Sequence, residues 1–431
     1  MSTKTNLLIR NGRTIDPSNG LDQVGDILVI GEKIVQFGDL ASFSAENCTM
    51  LDASGMVVTP GFIDLHCHLR QPGYEEKETI ATGTAAAARG GFTTVCCMPN
   101  TEPPIATPEL VYRILNIVER EGAVHVLPIG TITEGRKGLK LADLATLHKV
   151  GVVAFSDDGD PVARAEIMRQ ALEQSRLLNI PIIDHCEDKE LSGEGSMNEG
   201  TVASWLGFKG ITPVAEESMV ERDIELARET GGWIHIAHVS TAGSVDLIRQ
   251  GKREGVMVTA EATPHHLTLT EDRVAIAGTA AKVKPPLRTE QDREALIGGL
   301  NDGTIDIIAT DHAPHTRADK AAYFEEAAFG ISGFETALGS LMRLVDRGEV
   351  ELPTLISKLT AEPAKILALT GAGNLTPDSP ADITIFDPHA RWVVEPDRFA
   401  SKGKNTPWDG ETLQGKVVAT IVSGKIVFQS L

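Results

Sequence analysis

The chain has 431 residues, enough for two or three domains or for one large α/β barrel with an appendage. Hydrophobic residues make up 42% and charged residues 23%, an ordinary globular balance that excludes disordered and fibrous classes. With 60 Asp and Glu against 40 Lys and Arg, the formal charge is -20, a field that repels phosphate and makes nucleic acid and anionic membranes poor partners.

The opening "MSTKTNLLIR" lacks the apolar core of a secretory signal, and no apolar stretch reaches the roughly 18 residues of a membrane span, so a cytoplasmic protein is expected. Next come "NLLIRNGRTIDPSNG", "GDILVIGEKIVQFGD" and "MLDASGMVVTPG", β-branched runs cut by Gly, Asn, Asp and Pro that predict turn-linked antiparallel strands. From about residue 61 the rhythm changes. Eight apolar runs follow: "GFIDLHCH", "GFTTVCCMPN", "VHVLPIGTIT", "VVAFSDD", "PIIDHCED", "WIHIAHVS", "VMVTAEATPHHL" and "DIIATDHAP". Stretches between them, such as "PELVYRILNIVEREG" and "EIMRQALEQSRLLN", repeat apolar residues at three and four and predict helices. Eight βα units predict a TIM-type (β/α)8 barrel. Beyond about residue 370, "ADITIFDP", "RWVVEP" and "VVATIVSGKIVF" return to short strands. The expected organisation is a small β-sandwich domain from residues 1–58 and 371–431, with the barrel over 59–370 inserted between them. The cysteines, Cys48, Cys67, Cys96, Cys97 and Cys186, form an odd set without disulfide spacing and are expected as reduced thiols.

Catalytic groups of such a barrel sit at the C-terminal ends of its strands. Here the first run ends in His66 and His68, the fourth in Asp157 and Asp158, the fifth in His185, the sixth in His238 and the eighth in Asp311. Strand alternation directs His66 and His68 to one side. One histidine ending a strand is usually a hydrogen-bonded structural residue, but independent core histidines have no reason to gather at strands one, five and six beside carboxylates at four and eight. The pattern predicts a shared metal site. Four imidazoles and two carboxylates overfill one tetrahedral ion and suit two divalent ions, Zn2+ being the expected metal. One ion would take His66, His68 and Asp311 and the other His185 and His238, with an Asp of strand four between them. Parity leaves Asp157 and Asp158 both open. His125, His148 and His389 lie away from strand ends, and His235, three residues before His238, is expected to face the other way. His265, His266 and His312 are candidates for supporting the ligands, and Cys67 and Cys186 for packing. A ligand of negative charge would need local cations, and the fork of Arg70, two residues past the histidine pair, suits a carboxylate.

The motifs "GFIDLHCHLRQPG", "GFTTVCCMPNT", "SDDG", "HCED", "AHVS", "ATDHAPH" and "SPADITIFD" resemble those of the amidohydrolase superfamily, and over its full length the chain is similar to the longer, class I bacterial dihydroorotases. That resemblance implies reversible hydrolysis of the cyclic amide of (S)-dihydroorotate to N-carbamoyl-L-aspartate, in pyrimidine biosynthesis. Asp158, rather than a carbamylated Lys, would bridge the metals. A hydroxide between them would attack, with Asp311 as general base and then general acid. Asn100 and His315 would join Arg70 around the substrate carboxylate, and the backbone of Phe329 and Gly330 would contact the ring. In "KVKPPLR", Lys284 stands where such enzymes commonly have Asn before the two prolines, at a position that usually meets substrate. A homodimer is the expected assembly, with association with aspartate transcarbamoylase as a further partner. Two other readings compete. A hydantoinase or allantoinase would use a carbamylated Lys at strand four, where this chain reads "VVAFSDDG". An inactive structural partner of aspartate transcarbamoylase would have lost metal ligands, and here every ligand position is filled.

Overall fold

The computed structural model describes residues 6–40, 43 and 48–430; the first five residues, part of the stretch read for a leader, lie outside the described residues. The chain opens with β1 (Asn6–Asp16), β2 (Leu21–Ile30), β3 (Lys33–Gly38), β4 (Cys48–Asp52) and β5 (Val57–Pro60). Ten strands follow: β6 (Phe62–Cys67), β7 (Phe92–Cys97), β8 (His125–Pro128), β9 (Phe155–Ser156), β10 (Ile182–Asp184), β11 (Met197–Asn198), β12 (Gly210–Ile211), β13 (Ile234–Ile236), β14 (Val258–Ala262) and β15 (Ile307–Ile308). The last three are β16 (Ile383–Val393), β17 (Thr412–Val422) and β18 (Lys425–Gln429).

The two ends of the chain make one sheet, in the order β18-β17-β16-β5-β1-β2-β3 with β4 also beside β1. Its seam is the antiparallel pair β5–β16, which sets Pro60 opposite Ile383 and Val57 opposite Phe386. Leu7, Ile9, Ile27, Val29, Val58, Ile383, Ile385 and Ile421 fill the core of this sheet. Burial of alternating β-branched side chains from both termini is what holds the ends together.

Between them runs a closed ring of parallel strands. One arc is β6-β7-β8 and the other β9-β10-β13-β14-β15. Single bridges join the arcs, Gly130 with Phe155 on one side and Cys67 with His312 on the other, so eight strands close. They coincide with the eight apolar runs, because a parallel strand covered on both faces reads as continuous hydrophobic sequence. Helices pack outside the ring. Thr79 caps Ile80–Arg89 in a capping box with Thr82, and Thr107 caps Pro108–Glu121, whose first residue is proline. The small parallel pair β11–β12, in the loops after β10, has no counterpart in the sequence reading. All five cysteines are free, and all but Cys48 are buried. Among the described residues no helix is long and apolar enough to cross a membrane.

Candidate active site

The C-terminal ends of the barrel strands bring six side chains together. Asp158 lies at the centre: its Oδ1 is 3.3 Å from His66 Nε2 and 3.8 Å from both His185 Nδ1 and His238 Nε2, and its Oδ2 is 3.5 Å from His68 Nε2. Asp311 Oδ1 is 3.0 Å from His68 Nε2 and 3.5 Å from His66 Nε2. His185 Nδ1 and His238 Nε2 approach to 2.8 Å. The backbone is forced where it delivers these groups. Arg70, His238 and Asp311 have φ of 60°, 34° and 44°, a left-handed conformation that costs on the order of 1–3 kcal/mol per non-glycine residue. Asp157 points elsewhere, accepting the amides of Ile132 and Thr133 at 2.9 and 3.1 Å and the Thr133 hydroxyl, and so ties down the loop after β8.

The charge pattern suits a cation. Burial raises the cost of ionising Asp158 and Asp311, yet the surrounding histidines outweigh it and hold both carboxyls well below the usual range. His238 is driven down to about 3, first by burial and then by His185 and His66, so its ring is neutral and free to act as a ligand. His66 goes the other way: burial disfavours its charge, but Asp158, Glu261 and Asp311 together pull it above its ordinary value. Its Nε2 is nevertheless buried without a hydrogen-bond partner. Ligand atoms of His66, His68 and Asp311, and of His66, Asp158 and His238, lie close enough to hold a metal ion. An orphaned imidazole nitrogen among ionised carboxylates fits a divalent cation of zinc type.

Above these groups is a cavity of about 300 Å3, lined by His68, Arg70, Asn100, Asp158, His185, His238, Lys284, Asp311, His315, Phe329 and Gly330 among others. Apart from Asp157, the structure thus gathers the site residues named from the sequence at this cavity, with His66 sealed beneath the floor. His68 Nδ1 donates to Asn100 Oδ1 at 2.9 Å. Arg70 Nε donates to the carbonyl of Pro314, and its Nη2 lies 3.4 Å from His315 Nε2, which donates to the carbonyl of Phe329 at 2.8 Å. Gly330, at φ 127°, is required: a Cβ there would lie 2.7 Å from that of Ala313. Lys284 is neither free in solvent nor a bare point charge, since its ammonium is 2.8 Å from Glu187 Oε1. Glu187 Oε2 is in turn 3.5 Å from His185 Nε2.

Several functional groups escaped the sequence reading. Glu261, wholly buried in β14, accepts from His66 Nδ1 at 2.6 Å, from His235 Nε2 at 3.2 Å and from the amide of His238 at 3.2 Å. By accepting the Nδ1 proton of His66 it turns Nε2 toward the site, where a bound cation would replace the Nε2 proton. Its carboxyl is held at about 2, because His66 and His235 outweigh its burial. His235 therefore joins the site network instead of turning away; β13 ends at Ile236, and the left-handed φ of His238 breaks the alternation on which that expectation rested. Asp64 accepts from the amide and hydroxyl of Thr310, both at 2.7 Å, and anchors the first strand to the last. An acid inside an otherwise apolar run, as in "FIDLH" and "VTAEA", was the available signal. His312 stacks on Phe334 with its Nε2 3.4 Å from Glu78, while His265 and His266 pack against each other.

A barrel closed in this way, carrying such a donor set at its C-terminal face, defines a metal-binding hydrolase of the amidohydrolase superfamily. A profile described as "Amidohydrolase family" matches residues 213–428, and one described as "Dihydro-orotase-like" matches 55–244. Among solved structures, the L-hydantoinase (dihydropyrimidinase) from Arthrobacter aurescens superposes with a TM-score of 0.88 at 25% identity, covering 99% of this chain and 96% of that one. A D-hydantoinase, 22% identical with a TM-score of 0.84 over 98% and 95% of the two chains, shares the fold. Sequence relatives are more specific. A dihydroorotase of Thermoanaerobacter sp. (strain X514) is 50% identical over 98% of this chain and 97% of its own, and one of Trichlorobacter lovleyi is 49% identical over 98% and 99%. The chain belongs to the dihydroorotase family.

Proposed function

We propose that this centre opens and closes the ring of (S)-dihydroorotate, interconverting it with N-carbamoyl-L-aspartate. The observation that carries the reading is the convergence of His66, His68, Asp158, His185, His238 and Asp311 beneath a cavity walled by Arg70, Asn100 and His315. These six side chains, Asp158 among them, would hold two divalent cations, Zn2+ the expected metal, which when bound would bring water toward hydroxide near neutral pH and polarise the ring carbonyl. Asp311 takes the proton of the attacking water and returns it to the ring nitrogen as the amide C–N bond breaks, leaving a new carboxylate. In the reverse direction the ureido nitrogen closes on that carboxyl with loss of water. Arg70, Asn100 and His315 hold the carboxylate that does not react, and the backbone at Phe329 and Gly330 faces the ring. Glu261 keeps His66 in the tautomer that ligates.

A hydantoinase-type reaction on neutral rings is the competing reading. Strand four carries Asp158 and no Lys, and the wall cations favour an acidic ring. Ring opening of L-dihydroorotate measured beside hydantoin and allantoin, with metal content determined on the same sample, separates the two. Turnover of dihydroorotate with bound metal is expected; activity on the neutral rings alone overturns the substrate assignment. A cytoplasmic homodimer able to associate with aspartate transcarbamoylase completes the proposal, and sedimentation of the chain alone and with that enzyme tests the assembly.

A further inference from the structure

Two buried lysines remain outside the chemistry described so far. Lys282 and Lys320 are 1% and 8% exposed, and neither ammonium has a carboxylate within ion-pair distance among the described residues. Both are spent on backbone carbonyls. Lys320 Nζ donates to Ala328 O at 2.7 Å, Gly330 O at 3.0 Å and Lys282 O at 3.3 Å, using all three of its protons. Lys282 Nζ donates to Phe324 O at 2.7 Å and Glu325 O at 2.9 Å, and lies 4.3 Å from the centre of the Phe329 ring. Lys284 is on the same ring at 5.2 Å. The carbonyl of Lys282 also accepts the amide of Gly330 at 2.9 Å. Four carbonyls of the stretch 324–330 thus converge on two cations set in its underside. Phe324 stacks on Phe208 at the start of this stretch, and the ammoniums hold the rest, since burying a charged ammonium is tolerated only where such acceptors surround it.

The same stretch supplies Phe329 and Gly330 to the wall of the substrate cavity. We propose that Lys282 and Lys320 are positioning residues, which hold the 324–330 loop in the pose that receives the substrate ring. The inference rests on the reading of the cavity as the dihydroorotate site. Neither lysine touches the metal-ligating cluster, so their loss should move substrate binding and spare the proton transfers at Asp311.

The test is steady-state ring opening of L-dihydroorotate by the full-length Lys320→Met and Lys282→Met variants, together with limited chymotrypsin digestion, for which Tyr323, Phe324 and Phe329 offer cut sites. The expected result is a KM raised about tenfold or more with kcat within about threefold of wild type, and faster cleavage at these sites that saturating substrate suppresses. An unchanged KM in folded variants, or a fall in kcat with KM unchanged, overturns the proposal. Failure of both variants to fold, read by circular dichroism, overturns it as well, because the lysines would then serve the fold at large. Wild-type protein inert toward dihydroorotate would instead strike at the substrate reading, while the protease arm still reports whether the lysines hold the loop.

Discussion

Replacing Glu261 by glutamine isolates what a buried carboxylate does for a ligand it touches. The side chain is wholly buried and meets two imidazoles, His66 at 2.6 Å and His235 at 3.2 Å, both of which donate to it. Glutamine keeps the shape but is neutral and offers one oxygen and one NH2 group, so either His235 shifts its proton to Nδ1, 2.9 Å from Thr259 Oγ1, to receive the NH2, or His66 loses its acceptor; in both cases the charge behind His66 is gone. Where His66 is the one to yield, its proton moves to Nε2, the atom that would ligate a bound cation. A hydrogen bond to a charged group is worth about 1.5–3 kcal/mol, and loss of a partner behind a metal-bound histidine costs about 10–100-fold in affinity, which is about 1.4–2.7 kcal/mol. The two estimates agree in size. Competition between the metal-stripped protein and a chromophoric chelator measures the dissociation constant directly, and excess metal should restore most of the lost turnover. A Glu261→Gln protein that binds Zn2+ as tightly as wild type would refute the argument that this residue sets the tautomer of His66.

Three further outcomes follow from the geometry. Asp311→Asn, measured at saturating metal, is expected to lower kcat by about 10²–10⁴ through loss of the proton carrier; retention of more than roughly a tenth of wild-type turnover would exclude that role. Lys284→Met removes a cation from the cavity wall of a protein with net charge -20 and leaves Glu187 with His185, 3.5 Å away, as its remaining partner, so KM for dihydroorotate should rise about 3–10-fold and become less sensitive to salt; an unaltered KM and salt dependence would relegate Lys284 to structure. Burial pushes the carboxyl of Glu335 up to about 7 from its ordinary 4.5. The folded chain then keeps a proton that the unfolded chain releases, so this residue favours folding below that window and loses ground as pH rises through it, by at most about 3 kcal/mol. Thermal melts at pH 5 and pH 8 should show Glu335→Gln gaining on wild type at the higher pH, and parallel behaviour would rule the effect out.

The barrel was legible because each of its strands is buried on both faces and reads as an uninterrupted apolar run. The gathering of the candidate ligands was legible because strand ends in such a barrel point to one mouth. Where these rules weaken, the sequence went silent. β9 is two residues long, too short for alternation to choose between Asp157 and Asp158; the choice is made by the amides of Ile132 and Thr133, which come from a distant loop. The expected position of His235 failed for a related reason, since the strand stops before His238. Glu261 and Asp64 were hidden because an acid within an apolar strand is meaningful only when its partners, here His66, His235 and Thr310, are known. Lys284 drew attention as a departure from the family pattern, but its partner Glu187 lies almost a hundred residues earlier in the chain and no local pattern connects them.

The antiparallel junction of β5 with β16 carries a consequence for biosynthesis. Roughly 320 residues separate its two sides, and at about 5–20 residues per second a ribosome needs on the order of 15–65 s to deliver the second after the first. During that interval the nascent β1–β5 segment presents an open, β-branched edge at Val57–Pro60 to the cell. Chaperone occupancy should peak on chains stalled inside the barrel and vanish once Phe386 has cleared the exit tunnel, and messages truncated before that codon should yield aggregates even when all eight barrel strands have been made.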